Sequence, residues 1–197
     1  MSTIVVVRKN DKACIAADSL TTFGDTRQSA KLDAASDKVF HTHESHIGIV
    51  GSAAHQMVLE SACESLDDLE FLGRRKIFDS FRKLHPVLKE QYFLNPKEDE
   101  DDAYESTHID ALLINRKGIF GVFSLREVFE YTRFWAIGSG SEFALGAMHA
   151  LYDRLDDAQA IARAAITASA EFSTTTALPL SCYCVTLDQH NPEMVLT

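Results

Sequence analysis

The chain has 197 residues, 46% of them hydrophobic and 24% charged, with a formal net charge of -10. That length holds one domain with a real core, taken here as residues 1–197, and no apolar run approaches the roughly 20 residues of a membrane helix. The acidic balance excludes nucleic acid and anionic membrane surfaces as partners, because phosphate binding requires a basic patch.

Residues 3–8, TIVVVR, predict a strand that starts with no lead-in and leaves Ser2 at the very end of an element. Asn10 and Asp11 are turn formers, and ACIAAD at 13–18 completes a hairpin. The stretch 19–36 has no clear period and reads as a loop. KVFHTH and HIGIVG predict a second hairpin turning at Glu44 and Ser45. After Gly51 the period becomes helical: Leu59, Ala62, Cys63, Leu66 and Leu69 share a face, with Gly73 at or just past the end. Ile77, Phe81, Leu84, Leu88 and Tyr92 predict a second helix, kinked or broken at Pro86. The acidic run KEDEDD at 97–102 reads as a solvated loop. HIDALLIN and IFGVFS predict two strands around an Arg-Lys-Gly turn, and YTRFWAIG a further one. Helical spacing returns at Phe143, Ala147, Ala150 and Leu151. Asp156 or Asp157 is placed to cap an Ala-rich helix running to Glu171, and CYCVTL closes the chain as a strand.

The order is strands, two helices, strands, two helices, strand. Paired helices between strand groups predict an α+β fold, a four-layer αββα sandwich of two antiparallel sheets between helix pairs. A doubly wound parallel sheet would alternate strand and helix singly. The four cysteines, Cys14, Cys63, Cys182 and Cys184, match neither a metal knuckle nor a CxxC, so reduced thiols are expected. No secretory pattern opens the chain, and the expected location is cytoplasmic.

The first residues carry the clearest chemistry. With Met1 removed, Ser2 presents a hydroxyl and a free α-amine together. That amine has a pKa of about 7.7–8.0, so near neutrality a useful fraction is already a base. It can take the hydroxyl proton directly or through water, and no histidine is required. The bland alternative is an inert processed terminus. HTHESH supplies His41, His43 and His46, a set that suits zinc. With no cysteine nearby, a solvated hairpin is the preferred reading, so no metal and no cofactor are expected. Gly138-Ser139-Gly140 before a helix suggests an anion site, but GxGxxG and GKS chemistry are both missing.

STIVVVRKN, then ACIAADS, DKVF, IGIVGSAA and AIGSGSEFALGA, resembles in order, over nearly the whole chain, the proteasome β-subunit family and its bacterial relative, the HslV-type peptidase. The resemblance implies the αββα sandwich. It also places the family's N-terminal nucleophile, usually Thr, on Ser2. Asp18 in AADS then orients and charge-balances the site. The active-site Lys falls on Lys38 in DKVF, with Lys31 as the alternative. Gly51 matches the glycine whose N–H faces the developing oxyanion, and Ser139 the serine that supports the terminal amine. The family's late Asp–x–x–Ser pair falls on Glu171 and Thr174. The same alignment lines the specificity pocket with Thr21, Ser36, Phe40, Ile49 and Ala53, partly apolar and without a charged selector.

What the resemblance implies is a self-compartmentalising threonine/serine-type endopeptidase that degrades unfolded polypeptides. It would assemble as stacked homo-oligomeric rings, fed by an ATP-dependent unfoldase. The alternatives are a catalytically silent ring or scaffold subunit, and an N-terminal-nucleophile amidase acting on small amides.

Overall fold

The computed structural model describes residues 2–96 and 104–188; the acidic run at 97–102 lies outside them. Four strands, β1 (Thr3–Lys9), β2 (Lys12–Asp18), β10 (Phe134–Gly138) and β11 (Leu180–Thr186), form a sheet in the order β10-β1-β2-β11. Five others, β5 (Val39–Thr42), β6 (Ser45–Val50), β7 (Asp110–Asn115), β8 (Gly118–Val122) and β9 (Val128–Tyr131), form a second in chain order. Every pairing within these sheets is antiparallel.

Helices cover the outer faces. Helices α1 (Ala53–Glu64) and α2 (Arg74–Glu90) pack on the five-stranded sheet through Leu59, Ile77, Phe81 and Leu84 against Ile47, Leu113 and Phe120. Helices α3 (Ser141–Leu151) and α4 (Ala158–Phe172) pack on the other through Ala144, Met148, Ile161 and Ala165 against Val5, Val7 and Ala16. Between the sheets lie Ile4, Val6, Ile15, Leu112 and Ile114. Strand β1 therefore buries alternate side chains in two different cores. A strand sandwiched on both faces needs an unbroken apolar run rather than alternation, and IVVV meets that need. The result is the αββα sandwich.

Several local expectations are corrected. The stretch 19–36 holds a small hairpin, β3 (Thr21–Phe23) with β4 (Thr26–Gln28), and one helical turn, Ala30–Leu32. The β5–β6 turn falls at His43 and Glu44, whose φ values are 44° and 61°. Two consecutive positive φ values are what a two-residue hairpin loop demands. Helix α1 ends at Glu64, and Gly73 (φ 100°) instead precedes α2. Leu66 and Leu69 still pack on the same core from the connection. Helix α2 runs unbroken through Pro86. YTRFWAIG is not one strand: Tyr131 ends β9 in one sheet and Phe134 opens β10 in the other. Helix α3 buries Ala144 and Met148, while Phe143 is exposed and packs on Phe172 at 5.6 Å between ring centroids.

The thiols are also corrected. Cys14 and Cys184 are direct cross-strand partners of β2 and β11, and a disulfide joins them; Cys63 and Cys182 are free. Their separation of 170 residues hides the pair from any spacing argument. The histidines do not form one strand face, because His43 sits in the turn; His41 packs edge-on against His46 at 4.9 Å. No metal-binding group occurs among the described residues, and no helix there is long and apolar enough to cross a membrane.

Candidate active site

Ser2 is seated where β1 meets β10. The Ser139 N–H donates to the Ser2 carbonyl at 2.9 Å, and Thr3 stands opposite Gly138 in the ladder. Gly138 has φ 96°, and a Cβ there would fall 1.9 Å from the Ser2 carbonyl oxygen. Only glycine lets the two backbones meet this closely. Ser2 itself is 7% exposed and lines a cavity of about 590 Å³.

Asp18 ends β2 beside it, fully buried, and gathers four donors. One carboxylate oxygen accepts the Thr3 N–H and the Lys38 Nζ, each at 2.8 Å. The other accepts the Leu20 N–H at 3.0 Å and the Ala177 N–H at 3.3 Å. Lys38 Nζ also donates to the Leu20 carbonyl at 2.7 Å. Burial pulls the Lys38 pKa below the ordinary lysine value, and the neighbouring Asp18 carboxylate opposes that shift by charge and hydrogen bond. Lys31 lies exposed in the Ala30–Leu32 turn, away from this pair.

Gly51 (φ 114°) precedes α1 and lines the same cavity, with Ser52 capping the helix through the Ala54 N–H. Thr21, Ser36, Ile49 and Ala53 line it too. Phe40 does not. Alternation along β5 sends Val39 between the sheets and Phe40 into the core under α1 and α2, where it is 6% exposed. Asp33 and Glu60 stand in the cavity wall, so the expected lack of charged lining is corrected as well.

Glu171 and Thr174 are both exposed, and neither bonds Ser139. The partner of the Ser139 hydroxyl is Thr175, at 2.5 Å, itself 2.9 Å from the Ser173 hydroxyl. Next along, Thr176 shares a hydrogen bond with Thr3 at 2.7 Å. Helix α4 ends at Phe172, and after the extended backbone of Ser173 the loop leaves Thr174 exposed and brings Thr175 and Thr176 to their partners. That puts Thr175 rather than Thr174 on the serine. The hydroxyl run STTT at 173–176 was the available signal for it.

Among solved structures, the chain is similar to the BPH of Thiobacillus denitrificans, a bacterial proteasome homologue. The structure of that protein in complex with epoxomicin shares 38% identity and a TM-score of 0.87 over 94% of this chain and 99% of that one. The chain belongs to the proteasome/HslV-type family. A second structure of the same BPH gives 37% identity and a TM-score of 0.88 over 95% of this chain and 100% of that one. The HslV of Trypanosoma brucei shares the fold at 20% identity, with a TM-score of 0.69 over 93% of this chain and 99% of that one. No protein-family model matches the chain, and a search of curated proteins returns no match. The chain shares the N-terminal-nucleophile hydrolase fold of that family.

Proposed function

We propose that this chain is a self-compartmentalising endopeptidase of unfolded polypeptides, with Ser2 as nucleophile once Met1 is removed. The observation that supports it most is the Asp18 carboxylate oxygen, which holds both Lys38 Nζ and the Thr3 N–H at 2.8 Å beside the cavity that Ser2 lines.

The freed α-amine takes the Ser2 hydroxyl proton, directly or through one water. Lys38, a fixed cation in the cavity that Ser2 lines, favours the ionised form of the attacking oxygen, while Asp18 keeps that cation charged. The oxygen adds to the scissile carbonyl, and the negative charge moves to the carbonyl oxygen, toward the Gly51 N–H. The protonated amine returns its proton to the departing amine as the C–N bond breaks, which leaves an ester on Ser2. Water, deprotonated by the same amine, hydrolyses that ester and regenerates the hydroxyl. Ser139, held by Thr175, positions the amine. No organic cofactor takes part. Stacked rings of this chain enclose the sites, so that only unfolded chains, delivered by an ATP-dependent unfoldase, reach them.

Epoxomicin is bound in the T. denitrificans BPH structure, and it serves as the probe here. Intact mass of the assembled particle is expected to show loss of Met1 and one covalent adduct per chain, absent in Ser2→Ala. An assembled particle that keeps Met1 in every copy, or a Ser2→Ala variant labelled as fast as wild type, would overturn the reading.

A further inference from the structure

We infer that the cavity beside Ser2 selects a lysine or arginine side chain on the residue whose carbonyl is attacked. This rests on the reading of Ser2 as nucleophile and adds to it the class of peptide bond cleaved.

Four charged groups line the cavity: Asp33, Asp37, Lys38 and Glu60. Two of them are already engaged with the protein. Lys38 is paired with the buried Asp18. One Asp37 oxygen accepts from the Ser181 hydroxyl at 2.7 Å and the Val39 N–H at 3.0 Å, and the other accepts from the Tyr183 hydroxyl. The other two face the space without a cation. Among the described residues, Asp33 accepts only the Ala35 N–H, on one oxygen, and neither Asp33 nor Glu60 has an ion-pair partner. Both are half-buried, where a charge is screened less than on open surface.

The walls fit the stem of such a side chain. Ala53, Met57 and Glu60 follow one another along the cavity side of α1. At 1.5 Å rise per residue, Glu60 stands about 10 Å further along the axis than Ala53. Glu60 is therefore rooted about two turns along α1 from Ala53, so a side chain entering beside Gly51 needs length to approach its carboxylate. Ile49, Ala53 and Met57 offer apolar contact on the way. Lysine and arginine suit that arrangement, because their methylene stems bury against apolar surface while the charged head stays with polar groups. Two large apolar side chains of the lining, Met57 (74% exposed) and Phe23 (64% exposed), have no protein cover of their own. An acidic side chain entering the same space meets like charge on two sides.

The test uses the full assembled particle and fluorogenic peptide amides that differ only in the residue before the cleaved bond: arginine, leucine or glutamate. The expected kcat/KM order is arginine, leucine, glutamate. Glu60→Gln and Asp33→Asn are each expected to lower the arginine-to-leucine ratio about fivefold, the effect of one partly screened ion pair. Raised salt lowers the same ratio, and Glu60→Lys lowers it further while improving the glutamate peptide. Thermal melts confirm that each variant is folded. Preference for leucine or glutamate, or a ratio unmoved in both neutral variants, would overturn the inference. Epoxomicin labelling separates the two levels. A labelled Ser2 with a leucine preference sinks the selectivity alone, whereas no labelling and no turnover of any peptide sinks the nucleophile reading and this inference with it.

Discussion

Asp18→Asn is the substitution that reaches furthest into the site. The carboxylate accepts four hydrogen bonds on two oxygens: Thr3 N–H and Lys38 Nζ on one, Leu20 N–H and Ala177 N–H on the other. An amide has a single acceptor oxygen, so one of these two pairs of donors must face an NH2 group. Lys38, with only 12% of its side chain exposed, also loses its counter-charge. Breaking one partner out of a buried ion pair costs about 3–5 kcal/mol. For a chain of this size that lowers Tm by roughly 6–20 °C, at about 2–4 °C per kcal/mol. Thermal unfolding followed by circular dichroism reads the loss, and epoxomicin adduct formation is expected to vanish with it. Adding Lys38→Met removes the stranded cation, so the double variant should melt above Asp18→Asn alone while staying unreactive. A single variant that melts within about 2 °C of wild type, or a double variant no more stable than the single, would refute the claim that the pair is electrostatically coupled.

Gly138→Ala should destabilise by more than the roughly 1–2 kcal/mol of a left-handed backbone alone, because its Cβ would also collide with the Ser2 carbonyl; slower labelling at matched folding is the signature of a displaced Ser2. Thr175→Val should slow epoxomicin labelling about two- to tenfold, the worth of one hydrogen bond, whereas Thr174→Val should leave it near wild type, and the reverse result would restore Thr174 as the partner of Ser139. His46 titrates below the ordinary histidine value of 6.5, first because it is partly buried and then because His41 is near, with Asp37 opposing. The unfolded chain therefore takes up this proton at higher pH than the folded one. The stability that His46 contributes is complete above pH 6.5 and is lost as pH falls through the lowered folded value, so melts from pH 7.5 to acid should show a shallower decline in His46→Gln than in wild type.

Much of the architecture was legible because two-sided burial leaves a plain mark. IVVV in β1 and the paired helices could be read without contacts, and Asp157 does cap α4 through the Gln159 N–H. Other parts failed for physical reasons. In α3 the sequence ALGAMHA offers two stripes of similar hydrophobicity, so the exposed Phe143 drew the periodicity away from the buried Ala144 and Met148. The chain passes between sheets within Thr132 and Arg133, too short a break to interrupt the apolar pattern of YTRFWAIG. Asp18, Lys38 and Ser139 could be proposed from order along the chain, and the fold brings all three to the neighbourhood of Ser2. Thr175 could not be proposed that way, because a one-residue shift past a helix end depends on the backbone angle of Ser173 rather than on composition. The selectivity wall was missed for a similar reason: Glu60 lies seven residues beyond Ala53, and only a helix brings both into one cavity.

One carboxylate, Asp18, also acts as a clasp. It fastens the first strand at Thr3, the crossing at Leu20 and Lys38, and the distant segment at Ala177, which span almost the whole length of the polypeptide. The proposed site is thus a property of the folded chain and of no single stretch of it, since all of these segments must be in place for the clasp to close. On the proposed reading, a copy with any one of these segments out of place has no cutting edge, even with Ser2 at its terminus.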